Sequence, residues 1–375
     1  MSYPDQDIVE ITEARTNSTA APTDFTVKTL DDLERLRAQW RKSDSNPKIM
    51  TSPDDCVAMN FLGLEVKTLL RGEESSGRNS VHSIALAPGA AIPAHGLSSG
   101  DTFWIVVDGE VDLTIGAKTE TVPGTGFGFA PPNTTQAIAN NSGAAATVYV
   151  IHLPAGIERG FEAINKAYKA DAVSAAEEAW RTLEPYGFSL TGGRALANDA
   201  RTNETPARVD RDINTFDDFL ALREDWFKLD PTPKIVVNPR DCKNVAAMGQ
   251  EARVLLNPEE SRGAASAFCN ILHGGVDVPP HHQPTEEETF IILRGTVNLR
   301  IGNHTKEGVT RGAFGFAPRY GTHAFKHVGT EDSFVFSINT PGGHDRGFEA
   351  SLRDGHKENF PEIIMAHGFT FHGPE

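Results

Sequence analysis

The chain of 375 residues carries the same message twice. Thr29-Leu30-Asp31-Asp32-Leu33 returns as Thr215-Phe216-Asp217-Asp218-Phe219, a separation of 186 residues, and that separation persists. Pro47-Lys48-Ile49 matches Pro233-Lys234-Ile235, Asp55-Cys56 matches Asp241-Cys242, and Leu69-Leu70 matches Leu255-Leu256. Gly109, Val111, Leu113, Ile115 and Gly116 are repeated as Gly295, Val297, Leu299, Ile301 and Gly302. After a shift of one residue, Phe127-Gly128-Phe129-Ala130-Pro131 matches Phe314-Gly315-Phe316-Ala317-Pro318, and Arg159-Gly160-Phe161-Glu162-Ala163 matches Arg346-Gly347-Phe348-Glu349-Ala350. A series this long means a tandem duplication of one structural unit. The two copies are expected at 23–192 and 212–375, joined by a polar linker at 193–211 and preceded by a mobile arm at 1–22.

Each copy opens with a helix. Thr29 is a cap residue with Asp32 three positions on, and Leu30, Leu33, Leu36 and Trp40 recur at helical spacing. Phe216, Phe219, Leu222 and Trp226 repeat that face, which is expected to pack the copies against each other, with further dimerisation open. The middle of each copy is short apolar stretches at intervals of roughly 8–12 residues, punctuated by Gly, Pro and Asn, as in an antiparallel sandwich or barrel. Val111-Asp112-Leu113-Thr114-Ile115 and Val297-Asn298-Leu299-Arg300-Ile301 alternate as half-buried strands do. A longer helix is expected from Arg159 to about Leu183, with a shorter equivalent in the second copy. The fold class is therefore mainly β, with flanking helices.

A net charge of −16 speaks against nucleic acid or an anionic membrane as partner, since both select basic surfaces. No apolar run approaches the ~20 residues needed to span a bilayer. Cys56, Cys242 and Cys269 lack a Cys-x-x-Cys spacing, and the amino terminus has no basic-then-apolar leader. The expectation is a reduced, cytoplasmic protein acting on a small molecule.

The chemistry concentrates in Pro279-Pro280-His281-His282-Gln283-Pro284-Thr285-Glu286-Glu287-Glu288-Thr289-Phe290 and, downstream, Gly321-Thr322-His323. With a strand period of two, His281 and Gln283 share one face and His282 takes the other. Glu288 opens the next strand and His323 a third. Nitrogen and oxygen donors converging in this way suit a divalent transition metal. A bulge at Pro279-Pro280 would bring in His282 instead of Gln283. Glu286 and Glu287 are read as surface charge, His327 as lining near the site, His304 as a turn residue, and His344, His356 and His372 as surface or packing. Phe290, Ile292, Phe314, Phe316 and Phe325 fit either a cavity wall or plain core.

These stretches resemble the two signature motifs of the cupin superfamily. Gly275, His281, Gln283, Glu288 and Gly295 fall on the spacing of the first motif, and Gly312, Pro318 and His323 on the second. The closest similarity is to quercetin 2,3-dioxygenase-like bicupins, with Gln283 standing where a second His is usual. The resemblance implies tandem jelly-roll (double-stranded β-helix) barrels and a metal at His281, Gln283, Glu288 and His323, with Fe first and Mn, Ni, Co or Zn also accommodated. It further implies a dioxygenase for an aromatic or enolic substrate, with Glu288 as ligand or proton acceptor. An isomerase or lyase that needs no O2, and a non-catalytic ligand-binding bicupin, are the alternatives. In the first copy the same positions read His95, Leu97, Thr102 and Gln136, a set too poor in donors for a metal site. The first copy is thus expected to be metal-free and His95 structural.

Overall fold

The computed structural model describes residues 5–169, 176–190, 199–245, 250–353 and 360–371. Each copy folds into two facing antiparallel sheets. In the first copy one sheet runs Phe127–Ala130, Asp101–Asp108, Ala146–Leu153, Ser80–Leu86, Leu64–Leu70 and Ala58–Phe61. Its facing sheet runs Phe188–Leu190, Ala91–Leu97, Gln136–Ala139, Glu110–Ile115 and Lys118–Pro123. The second copy repeats this order: Phe314–Ala317, Glu287–Arg294, Ser333–Thr340, Ser266–Leu272 and Glu251–Leu256 face Thr370–Phe371, Asp277–His282, His323–His327, Val297–Ile301 and His304–Val309. These are two jelly-roll barrels with flanking helices, the tandem cupin architecture.

The two barrels share strands. Lys48–Met50, from the first copy, pairs with Phe314–Phe316 of the second, and Lys234–Val236 pairs with Phe127–Phe129 of the first. Ile235 accordingly sits in the interior of the first barrel and Ile49 in that of the second. The segments read as arm and linker are part of this exchange. Asn17 and Asn203 both adopt left-handed backbone (φ 60° and 66°) and accept from the amides of Ile49 and Ile235 at 2.8 and 2.7 Å. Thr202 Oγ1 donates to the Ile115 carbonyl of the first barrel at 3.1 Å, and Asp5–Glu13 is helical. A hydrogen-bonded anchor of this kind ties down the described parts of what composition alone reads as arm and linker.

The barrels meet through the outer faces of their larger sheets. Leu69, Phe103, Phe127, Phe129 and Ile151 from the first copy pack with Leu255, Ala267, Phe314, Phe316 and Phe336 from the second in one apolar layer, and the rings of Phe127 and Phe336 stack at 5.9 Å. The opening helices play no part in that layer, contrary to the sequence expectation. Leu33 and Leu36 of Leu30–Trp40 pack within their own copy, Leu30 is 43% exposed, and Phe219, Leu222 and Trp226 of Phe216–Trp226 form a separate cluster. The sheets supply the larger flat apolar surface, so the helices cover barrel ends instead. Their caps are as expected: Thr29 accepts from the Asp32 amide, and Thr215 with Asp218 forms a capping box. The helical segment after the first barrel comprises Ile157–Lys169 and Ala176–Leu183, with 170–175 outside the described residues.

Candidate metal centre

Three strands of the second barrel deliver the site. His281 and His323 are direct partners across the ladder between Asp277–His282 and His323–His327, which sets their rings 4.3 Å apart. Glu288 comes from the facing sheet, where it lies across from Asn339 and Ala317. One ligand atom from each of His281, Glu288 and His323 falls within 4.8 Å of the others, and all three residues are buried. Among the described residues this is the one such group of His, Cys, Asp and Glu.

Both imidazoles are oriented by the backbone. His281 Nδ1 lies 2.9 Å from the Pro279 carbonyl and His323 Nδ1 lies 3.0 Å from that of Gly321. A carbonyl only accepts, so each Nδ1 carries the proton and each Nε2 presents a lone pair. His323 Nε2 is 3.1 Å from Glu288 Oε2, yet it has no hydrogen-bond partner in its fully buried position. A lone pair facing a carboxylate oxygen is repulsive unless something positive lies between them. A divalent cation fits that requirement.

Protonation points the same way. Burial, with His323 beside it, pushes the His281 imidazole down to about 3, so it is neutral and free to coordinate at neutral pH. Burial alone would raise the Glu288 carboxyl, but positive charge and hydrogen-bond donors where His323 and His281 face it, with the Asn339 amide, more than offset it and hold the group below its ordinary value. With both rings neutral, a bound cation would supply that charge. The set at neutral pH includes the neutral His281 imidazole and the Glu288 carboxylate.

Gln283 is 2% exposed and its Nε2 donates to Glu288 Oε2 at 3.2 Å, so all four expected residues are brought together. In this orientation the amide steadies the carboxylate; turning it over would present Oε1. The ladder is irregular between Val278 and His281, as a bulge at the prolines requires, but pairing resumes at His281. His282 lies outside the gathered group, with its ring 5.8 Å from that of Tyr320.

The residues around the site correct several sequence readings. Glu286 and Glu287 are each 1% exposed. Glu286 is ion-paired with the buried Arg223, which also donates to Thr285 Oγ1 at 2.7 Å and the Gly342 carbonyl at 3.0 Å. His344, the first residue of the helix His344–Arg353, contacts the same carboxylate at 3.1 Å and packs on Phe369 at 3.8 Å. Nothing in the acidic run signals this, because its partners arrive from positions far away in the chain. His327 bonds Ser333 Oγ at 2.9 Å and stands apart from the ligand group, and His304 is exposed. His356 and His372 lie outside the described residues. Phe290, Ile292 and Phe325 line the barrel interior, with Phe290 5.2 Å from His323, whereas Phe314 and Phe316 face the layer between barrels.

In the first barrel the equivalent space is closed by neutral hydrogen bonds. Trp104 Nε1 donates to Gln136 Oε1 at 2.7 Å, and Gln136 Nε2 donates to Thr102 Oγ1 at 3.2 Å. His95 keeps the backbone contact of its counterpart, Nδ1 to Pro93 at 2.9 Å, but sits between Trp180 and Phe188.

No family model and no curated protein matches this sequence. Solved structures similar to it include protein Ylba from E. coli (13% identity, 80% of this chain, 93% of that one, TM-score 0.49). Others are a variant of oxalate decarboxylase from B. subtilis (11% identity, 88% and 90% covered, TM-score 0.49) and AerE from Microcystis aeruginosa (12% identity, 78% and 96% covered, TM-score 0.42). Similarity this distant says nothing about activity. No helix among the described residues is long and apolar enough to cross a membrane.

Proposed function

We propose that the second barrel is a metal-dependent catalytic site in which His281, Glu288 and His323 bind the ion, Gln283 stands at its fourth corner, and an aromatic or enolic small molecule is oxidised by O2. The observation that carries this reading is the buried convergence of two imidazole nitrogens and one carboxylate oxygen within 4.8 Å. Two His and one carboxylate with open positions is the donor set of non-haem iron oxygenases, which is why Fe is the first choice ahead of Mn, Ni, Co or Zn. A bound ion would supply adjacent positions for a substrate oxygen and for O2, and Lewis acidity toward either.

The protein's own contribution is preorganisation. His281 and His323 are locked by their Nδ1 contacts, so no ring has to turn to coordinate. Phe290 and Phe325 shield one side from water, and Glu288 is held ionised, ready to ligate or to receive a substrate proton. The neutral Gln283 beside Glu288 favours a second reading, in which that proton transfer is the whole reaction and a lyase or isomerase results. A bicupin that only binds ligands is the third.

Elemental analysis of purified protein is the decisive experiment. About one divalent metal per chain is expected, lost in His323→Ala and kept in His95→Ala; the opposite pattern would refute the assignment. With metal present, a panel of phenols and enediols should drive O2 uptake. Equal turnover under strict anaerobiosis would eliminate the oxygenase in favour of the lyase or isomerase.

A further inference from the structure

On the opposite face of the strand that carries Glu288, the two copies and the N-terminal helix line a cleft of about 1040 Å³. Its walls reverse the charge balance of the chain. The protein has 35 Lys and Arg against 51 Asp and Glu, yet the cleft is lined by six of the former and four of the latter. Most of these are paired: Arg15 with Asp44, Arg41 with Glu34, Arg262 with Asp101 at 3.1 Å, and Arg78 with Glu287 at 3.0 Å. Two cations are left over, Lys42 and Arg319, whose side chains have no hydrogen-bond or ion-pair partner among the described residues.

The duplication shows where the surplus arises. Asp101 and Glu287 are equivalent, each buried and each met by an arginine from the other copy. The Asp101 side holds Pro132 where the Glu287 side holds Arg319, and Ala264 where the Glu287 side holds Arg78. Glu287 therefore faces two guanidinium groups, and its second oxygen, Oε2, takes no hydrogen bond. Burial and the neighbouring Arg78 act against the charge on Arg319 and outweigh the support it receives from Glu287, Tyr320 and Asp44. One carboxylate between two arginines is electrostatically incomplete, and an oxyanion supplies what is missing in the geometry that guanidinium groups match best.

We propose that this cleft is a binding site for a small oxyanion, a carboxylate or phosphate compound, held by Arg319 and Arg78 beside Glu287 and reached independently of the metal centre. The ligand's charge would be neutralised by Arg319, with Lys42 at the rim. The volume accommodates a metabolite-sized molecule.

Calorimetric titration of the full-length protein with inorganic phosphate and with succinate, at constant ionic strength set by chloride, tests this. At least one probe should bind saturably, and the tighter of the two tells a phosphate ligand from a dicarboxylate. Arg319→Gln should weaken that probe at least tenfold, and Glu287→Gln, which removes the competing carboxylate, should tighten it. Lys306→Gln, on an exposed strand, should change nothing. Absence of saturable binding by both, or equal affinity in Arg319→Gln, overturns the proposal. Binding lost in His323→Ala but kept in Arg319→Gln would place the anion at the metal centre and overturn it too.

Discussion

Replacing Ile235 by Ala should damage a barrel to which that residue does not belong in sequence. Ile235 is 5% exposed and lies in the interior of the first barrel, delivered on the strand Lys234–Val236. Truncating a buried Ile to Ala costs about 2–5 kcal/mol through lost burial and the cavity left behind. For a protein of 375 residues each kcal/mol moves Tm by roughly 1.3 °C, so a fall on the order of 3–6 °C is expected. Location is the more discriminating readout. Native-state hydrogen exchange should show lost protection in Phe127–Ala130 and Asp101–Asp108, strands of the first copy. Ile49→Ala, the reciprocal change, should act on Phe314–Ala317 and Glu287–Arg294 in the second. Were Ile235→Ala instead to loosen only strands of its own copy, the exchange would be refuted.

Other outcomes follow from the site and the cleft. Gln283→His should tighten metal retention, since imidazole is the better donor for late first-row ions, and Gln283→Leu should weaken it without lowering Tm appreciably; metal content after dialysis against a chelator reads both. Arg223→Ala strands the Glu286 carboxylate in a buried position beside His344, and breaking such a pair costs about 3–5 kcal/mol, measurable by urea unfolding. Asp101 is pushed up to about 7 by burial, against the opposing effect of Arg262, so the folded state holds its proton over a pH range where the unfolded chain has released it. Stability from this group is thus fully present below about pH 4 and declines as the pH rises toward 7, at a rate of at most about 1.4 kcal/mol for each pH step of one. Asp101→Asn should flatten that part of the Tm profile, and an unchanged slope would contradict the assignment.

Much of this was legible in the residues, and the exceptions have physical causes. The repeat and the strand alternation led to two antiparallel sandwiches or barrels because both are local patterns, and the resemblance in the motifs implied the jelly roll. The four site residues could be named because they fall on the spacing of the motifs the chain resembles, at or beside the ends of strands from both sheets of one barrel. Strand exchange was not legible: Pro47-Lys48-Ile49 and Pro233-Lys234-Ile235 look alike whichever barrel they join. The start of the repeat, however, was there to be read. Ala14-Arg15-Thr16-Asn17 returns as Ala200-Arg201-Thr202-Asn203 at the same separation, inside the segments read as arm and linker. Glu286 and Glu287 looked solvated because an acidic run usually is; only the arrival of Arg223 and Arg78 from elsewhere in the chain makes their burial tolerable.

The exchanged strands also impose an order on biosynthesis. The last strand contributed by the first copy ends at Leu190, but its barrel lacks an edge until Lys234–Val236 has been made. At ~5–20 residues per second the ribosome takes roughly 2–10 s to cover that gap. Throughout it the nascent first barrel presents Phe127–Ala130 as a bare strand edge, with Phe127 and Phe129 uncovered by the partner sheet. The N-terminal half is thus obliged to wait, open and adhesive, for a strand that the C-terminal half supplies.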